Sequence, residues 1–147
     1  MSKPDPMDVE NVLRCLNSAL ELQLRSVLQF TTAAGSMFGL ETQALSDRFW
    51  LFAQAELSDT KLLVEKITAL GGDPSTNVAE LHWAADPEAA VEGLVENEED
   101  VIAALHEVIP HSGQEPRSEA LEHLMEHLIM RKQNQVDWML RALRSPS

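Results

Sequence analysis

The chain has 147 residues, enough for one compact domain with a single core. Its 24 Asp and Glu residues outnumber 11 Lys and Arg, and the net charge of -13 disfavours nucleic acids and anionic membrane surfaces as partners. No apolar run is long enough for a membrane span and residues 1–10 lack a secretory pattern, so we expect a cytoplasmic protein. The single Cys15 cannot form an internal disulfide, which agrees with a reducing compartment.

The first two predicted elements are amphipathic helices. Apolar residues at helical spacing begin after Asp8, a favoured N-cap residue, and continue to Gly35. A second such segment begins near Thr42 and ends before Gly71, where a second glycine and Pro74 also oppose a helix. Each segment has one apolar face that must be buried against another element.

Two further helices follow a longer connector. Asp86 and Pro87 supply the N-cap and first-turn residues that begin a helix, and Ile109-Pro110 is expected to end it. The last helix is predicted from about Pro116 to Leu143. No segment of the sequence shows the alternation of polar and apolar residues that is typical of a strand.

Four amphipathic helices can bury their apolar faces only against one another, so the sequence predicts an all-α four-helix bundle. We expect the domain to occupy residues 8–147, with residues 1–7 as an N-terminal tail. The connector at residues 71–86 could span about 50 Å, at roughly 3.3 Å per residue. It can therefore cross the length of the bundle, which would make the second and third helices parallel.

Each predicted helix carries polar residues in the middle of its apolar face. They are Gln23 in the first helix, Glu56 and Asp59 in the second, Glu98 in the third, and Lys132 and Gln135 in the fourth. If the register of the third helix were shifted by one residue, Glu99 would take the inward position in place of Glu98, although Glu98 fits the apolar face better. Buried carboxylates need a cation, protons or hydrogen-bond donors. The layer is therefore a candidate site, either for a divalent metal ion on the three acids or for an ion-pair network around Lys132.

Three stretches carry a resemblance to a known family: LNSALELQLRSVLQF at residues 16–30, AELSDTKLLVEKITALGGDP at residues 55–74 and VDWMLRAL at residues 136–143. They resemble the first helix, the second helix and the end of the fourth helix of bacterioferritins, and the resemblance covers almost the whole chain. It implies the ferritin-like four-helix bundle, with its long crossover between helices two and three. It also implies a di-iron ferroxidase centre made of Glu, Glu-x-x-His, Glu and Glu-x-x-His on the four helices in turn.

This sequence keeps only part of that implied ligand pattern. Glu56 and Glu98 match glutamate positions of the family. Other residues stand at the remaining ligand positions: Gln23, Asp59, Lys132 and Gln135. A protonated lysine cannot bind a metal ion, and the layer contains no imidazole. The remaining acids, Glu56, Asp59 and Glu98, could hold one iron or manganese ion but do not make an ordinary di-iron centre.

Three further comparisons with the family concern haem, assembly and an aromatic residue near the iron site. Leu57 stands at the position of the haem-binding methionine, so no haem is expected. Few residues follow the fourth helix, where cage-forming members carry a fifth, so the resemblance favours a homodimer over a 24-subunit shell. Phe30 stands where a tyrosine usually lies near the iron site.

The sequence therefore predicts a ferritin-like protein that has lost most di-iron ligands and is not an ordinary ferroxidase. Its role would be structural, binding or regulatory, with no cofactor. The alternative is an iron- or manganese-binding protein with an altered carboxylate site, acting in iron oxidation, storage or another oxidoreductase reaction. A third hypothesis is a small-ligand protein that uses space between the helices.

A separate histidine pair, His123 and His127, lies in the string HLMEH. This string matches the H-x-x-E-H pattern of inverted zinc proteases. Both histidines lie off the apolar face of the fourth helix, and those enzymes are much larger. We therefore expect a solvent-exposed or subunit-facing pair with no catalytic role.

Overall fold

A computed structural model of the chain describes residues 5–144. Within that range it contains four long helices and no strand: α1 (Val9–Ser36), α2 (Gln43–Ala69), α3 (Pro87–His106) and α4 (Pro116–Leu143). The predicted all-α four-helix bundle is confirmed. Parts of the predicted tail and domain, residues 1–4 and 145–147, lie outside the described range. None of the described helices is both long and apolar enough to cross a bilayer.

The helices begin and end where the sequence chemistry indicates. The Asp8 side chain accepts a hydrogen bond from the backbone N–H of Asn11 at 3.2 Å and caps α1. Asp86 caps α3 in the same way, through the Ala89 N–H at 2.9 Å. Gly71 has a φ of +85°, the left-handed conformation in which glycine commonly ends a helix such as α2.

The third helix is shorter than predicted. It ends at His106, and a separate 3-10 turn covers Ile109–His111, so the expected end at Ile109-Pro110 lies three residues too late. Pro110 has no backbone N–H and cannot continue an α-helix, whereas it fits the first turn of a short 3-10 segment. Glu98 lies about two turns before this end and keeps its position on α3.

The connector between α2 and α3 is held against α1 by two side-chain amides. Asn17 Nδ2 donates to the Asp73 carbonyl at 3.1 Å, and its Oδ1 accepts from the Ser75 N–H at 2.7 Å. Gln29 Nε2 donates to the His82 carbonyl at 2.7 Å, and its Oε1 accepts from the His82 N–H at 3.4 Å. The connector therefore runs along α1 as a long crossover, which confirms the prediction.

The apolar core consists of two clusters of buried residues, one on each side of the polar positions along the helices. One cluster includes Leu16, Leu20, Leu63, Ile67, Val101, Leu105, Leu121, Met125 and Leu128. The other includes Phe30, Phe49, Ala53, Val91, Leu94, Val95, Val136 and Met139. On every helix, the predicted polar residues fall between the members of these two clusters. The fold therefore places them in one layer across the middle of the bundle.

Candidate functional site

All six predicted polar residues are buried in the interior of the bundle: Gln23, Glu56, Asp59, Glu98, Lys132 and Gln135. We call this group the polar layer. The structure decides between the two acids proposed for α3, because Glu98 is buried and Glu99 is exposed. Lys132 is among the largest side chains that are fully buried. A charged side chain in this position requires partners, since its water shell has been removed.

Glu56 is the centre of the polar layer. Its Oε2 accepts a hydrogen bond from Lys132 Nζ and another from Gln23 Nε2, at 2.5 Å. Gln23 Nε2 also lies 2.9 Å from the Glu56 backbone carbonyl. With its amide nitrogen turned towards the acids, Gln135 donates to Glu56 Oε1 at 2.5 Å. Donors from α1 and α4 thus surround one carboxylate from α2, and both of its oxygens are hydrogen-bonded.

Glu98 is less completely paired. Gln135 donates to Glu98 Oε2 at 2.7 Å, and Lys132 Nζ lies 3.9 Å from the same oxygen. Glu98 Oε1 accepts no hydrogen bond from any residue that the structure describes. Burial raises the pKa of Glu98 well above its ordinary value, and the charge of Glu56 raises it further, while Lys132 and Ser26 oppose the change. Glu98 therefore holds a proton more readily than an exposed glutamate does.

Asp59 lies at the edge of the polar layer, where Arg131 covers it. The Asp59 side chain is 1% exposed, and Arg131 Nε, on a side chain that is 37% exposed, lies 3.4 Å from its Oδ1. Neither Asp59 oxygen accepts a hydrogen bond within the described part of the chain. Burial raises the pKa of Asp59, and the charges of Arg131 and Lys132 oppose that increase. Asp59 is thus held by charge rather than by directed hydrogen bonds.

Lys132 supplies the central positive charge. Burial lowers the pKa of its ammonium, but the acids Glu98 and Glu56 outweigh burial and raise the pKa above its ordinary value. The group therefore stays protonated at neutral pH. Lys132 and Arg131 together balance two carboxylates, and the charge of the third is removed when Glu98 is protonated. In chemical terms, the polar layer can hold the Lys132–Glu56 ion pair, the Asp59 carboxylate covered by Arg131, and one proton on Glu98.

The described residues contain no group of three or more His, Cys, Asp or Glu side chains placed to hold a metal ion. The interior offers carboxylates from Glu56 and Glu98, but the Lys132 ammonium lies against both of them. His123 and His127 lie on the exposed side of α4, as expected, and His123 Nε2 is 3.7 Å from Glu119 Oε1. The structure does not bring these histidines into the polar layer.

Two residues of the site were not predicted from the sequence. Ser26 is buried and lies one helical turn after Gln23, so its helical spacing from Gln23 could have indicated it. Arg131 is half-exposed and covers Asp59 from the surface. The sequence carries no comparable signal for Arg131, because only the packing of α4 against α2 determines which surface side chain reaches Asp59.

The raised pKa values predict that stability falls as the pH rises. Because its pKa is raised, Glu98 binds a proton more tightly in the folded protein than in the unfolded chain, and the bound proton stabilises the fold. This stability is fully present at pH values below 4.5, the ordinary pKa of the group. It is lost as the pH rises through the raised pKa of Glu98 in the folded protein. Across this window each pH unit removes up to about 1.4 kcal/mol from the free energy of unfolding. Glu98→Gln should flatten this dependence, and urea denaturation over a pH series would measure it.

The exposed neighbour provides the control for this prediction. Glu99→Gln removes the same charge from a side chain outside the polar layer, so the pH dependence should remain that of the parent protein. Equal slopes in the parent and Glu98→Gln would show that Glu98 does not carry the buried proton.

Comparison with protein families identifies the chain: residues 13–145 match the family named Ferritin, described as a ferritin-like domain. No curated protein sequence matches the chain. The matched region begins in the second turn of α1 and includes α2, α3 and α4, and it therefore contains every residue of the polar layer.

Several solved structures share the fold. A ferritin-like, diiron-carboxylate protein from Bacillus anthracis is 23% identical with a TM-score of 0.87, and the match covers 98% of this chain and 100% of that one. The Rhodobacter capsulatus bacterioferritin, described with a metal-free dinuclear site and haem iron, is 17% identical (TM-score 0.78; 91% and 84% covered). A dodecameric thioferritin, the bacterioferritin-related protein from Bacteroides fragilis, is 17% identical with a TM-score of 0.80, and the match covers 93% of this chain and 86% of that one. These similarities confirm the predicted ferritin-like bundle and, at such identities, show the fold alone.

Proposed function

We propose that this chain, which belongs to the Ferritin family of ferritin-like domains, is a protein in which Lys132 takes the place of a metal ion. In this proposal the protein is not an ordinary ferroxidase, and its role is structural, binding or regulatory. The observation that supports it is the position of Lys132 Nζ, hydrogen-bonded to Glu56 and 3.9 Å from Glu98 in the interior.

The donor set does not fit an ordinary di-iron centre. The resemblance to bacterioferritins implies four glutamates and two histidines, and only Glu56 and Glu98 match those positions. A protonated lysine has no lone pair for a metal ion, and the neighbouring acids keep Lys132 protonated by raising its pKa against the effect of burial. An added cation would also meet the positive charge of the ammonium at close range.

A structural role follows from the distribution of the polar layer over the four helices. Gln23 on α1, Glu98 on α3 and Lys132 on α4 all reach the region around Glu56 of α2 or contact it directly. Sliding one helix along its axis would separate a buried charge or amide from its partners, which is costly in a low-dielectric interior. We infer that the polar layer selects one register of the bundle, as buried polar groups do in some helical assemblies.

The unpaired oxygens favour a second candidate function. Both oxygens of Asp59 and Oε1 of Glu98 accept no hydrogen bond from the described residues, and they are buried. Together with Glu56 they could bind one iron or manganese ion if the Lys132 side chain moved away. Such a protein would act in iron oxidation, storage or another oxidoreductase reaction through an altered carboxylate site.

Iron binding by the purified protein distinguishes the two candidates. The protein would be prepared without chelators, analysed for iron and manganese, and titrated with ferrous iron in air. We expect no stoichiometric metal and no faster oxidation of iron than in buffer. Stoichiometric iron or manganese that is lost in Glu56→Ala would contradict the first candidate and support the altered carboxylate site. Circular dichroism of Glu56→Ala would test whether the bundle still forms, because the substitution leaves the buried Lys132 without its hydrogen-bonded partner.

We also propose that the protein is a cytoplasmic homodimer without haem. Trp50 and Leu57 lie seven residues apart on α2, on the same side of that helix, and are 50% and 59% exposed. An apolar surface of this kind supports subunit contact. Leu57 has no atom that can bind haem iron. Light scattering would give the mass, and Trp50→Glu would be expected to separate a dimer into monomers.

A further inference from the structure

A cavity of about 210 Å³ lies outside the polar layer, between α1, the crossover and the first half of α3. Its wall is formed by α1 residues from Gln29 to Ser36, by crossover residues 81–84 and by α3 residues from Ala89 to Leu94. It shares no residue with the polar layer. An apolar cavity of about 150 Å³ is large enough to hold benzene, so this one can hold a small organic molecule.

The space exists because small residues meet where α1 and α3 approach each other. Ala33, Ala89, Ala90 and Gly93 all line the cavity. A Cβ atom added at Gly93 would have no neighbour within 4 Å, so the glycine faces open volume. The crossover forms the opposite wall, where the Gln29 amide holds the His82 backbone through both its nitrogen and its oxygen.

The chemistry of the wall defines the class of molecule that fits. Among the described residues that line the cavity, none is Asp, Glu, Lys or Arg, so the wall has no carboxylate, ammonium or guanidinium group to pair with a charged ligand. Trp83, a residue that is 64% exposed, offers an aromatic ring. Thr32 also lines the cavity, and its hydroxyl donates its proton to the Leu28 carbonyl at 2.8 Å, so the hydroxyl oxygen remains available as an acceptor.

We propose that this cavity is a binding site for a small uncharged aromatic molecule that carries one N–H or O–H donor. The ring packs between Trp83 and the small residues of α1 and α3, and the donor reaches a hydroxyl on α1. Binding would bury the exposed apolar surface of Trp83. The site does not depend on whether the polar layer binds a metal ion.

The test uses the full chain with phenol and indole as probes and ligand-observed NMR or calorimetry as the measurement. Gly93→Leu should fill the cavity and weaken binding of the probes at least tenfold. Gly35→Leu is the matched control, because Gly35 is also a helical glycine with open space around its Cβ position but does not line the cavity. Both variants exchange glycine for a better helix former, so both should fold.

Other variants keep the proposal testable if Gly93→Leu folds poorly. Ala90→Leu fills the same space from the neighbouring turn, and Trp83→Ala removes the aromatic wall. Loss of binding confined to the cavity variants supports the proposal. Absence of binding at millimolar probe, or equal binding by Gly93→Leu and the parent, would overturn it. Cyclohexanol binding as tightly as phenol would overturn the aromatic assignment.

Discussion

Replacing Lys132 by methionine is expected to lower the free energy of unfolding by about 3–5 kcal/mol, because it leaves the buried acids without their cation. Glu56 loses the ammonium that is hydrogen-bonded to its Oε2, and Glu98 loses the nearest positive charge. Methionine has a similar shape and fills the space, so the effect measures charge rather than packing. Urea or thermal denaturation of the parent and variant would give the difference.

A surface lysine provides the matched control. Lys61 Nζ lies 3.5 Å from Glu65 Oε1 on α2, but the Lys61 side chain is 79% exposed. Lys61→Met should therefore change the free energy of unfolding by only about 0–1 kcal/mol. The double variant Lys132→Met/Glu56→Gln removes one charge of each sign and should recover part of the stability. Equal losses in Lys132→Met and Lys61→Met would refute the role of Lys132 as the internal cation.

Restoring the implied ligands is expected to create iron binding. In the combined variant Lys132→Glu, Asp59→His and Gln135→His, the internal cation is removed and the second and fourth helices regain the family's Glu-x-x-His pattern. Since the six positions already lie in one buried layer, we expect iron affinity to rise by about tenfold or more. Ferrous iron titration followed by calorimetry would measure the change.

The control for this experiment makes the same residue changes on exposed positions. Lys61→Glu, Asp137→His and Gln54→His together add one glutamate and two histidines outside the polar layer. This control should leave iron affinity near that of the parent protein. If the restored variant remains helical by circular dichroism and still binds iron no better than the control, the polar layer does not retain the geometry of a di-iron site.

Much of the candidate site was predictable because helical spacing identifies inward positions. Each of Gln23, Glu56 and Lys132 interrupts an apolar face, and each is buried. The apolar spacing favoured Glu98 as the inward acid of α3 and left Glu99 as the alternative, because a shift of one residue in the register of α3 would turn a side chain about 100° away towards the bundle. Packing of α3 against the bundle decided it, with Glu98 inside and Glu99 exposed.

The pairing of charges was not predictable in the same way. The sequence indicated that Lys132 could neutralise any of three acids, and the structure pairs it with Glu56 and Glu98. Asp59 is instead covered by Arg131, a residue for which helical spacing gives no signal. Pairing depends on distances of a few ångströms between different helices, and those distances come from how the helices pack.

By itself, the sequence determined that four amphipathic helices form one bundle with a long crossover, and that a polar layer crosses its middle. Local physics is sufficient for this, because capping, helical spacing and burial of apolar residues act within each segment. Only the tertiary structure decided which cation meets which acid, and only it created the cavity beside Trp83. Both features involve residues from different segments, which come together only after the chain has folded.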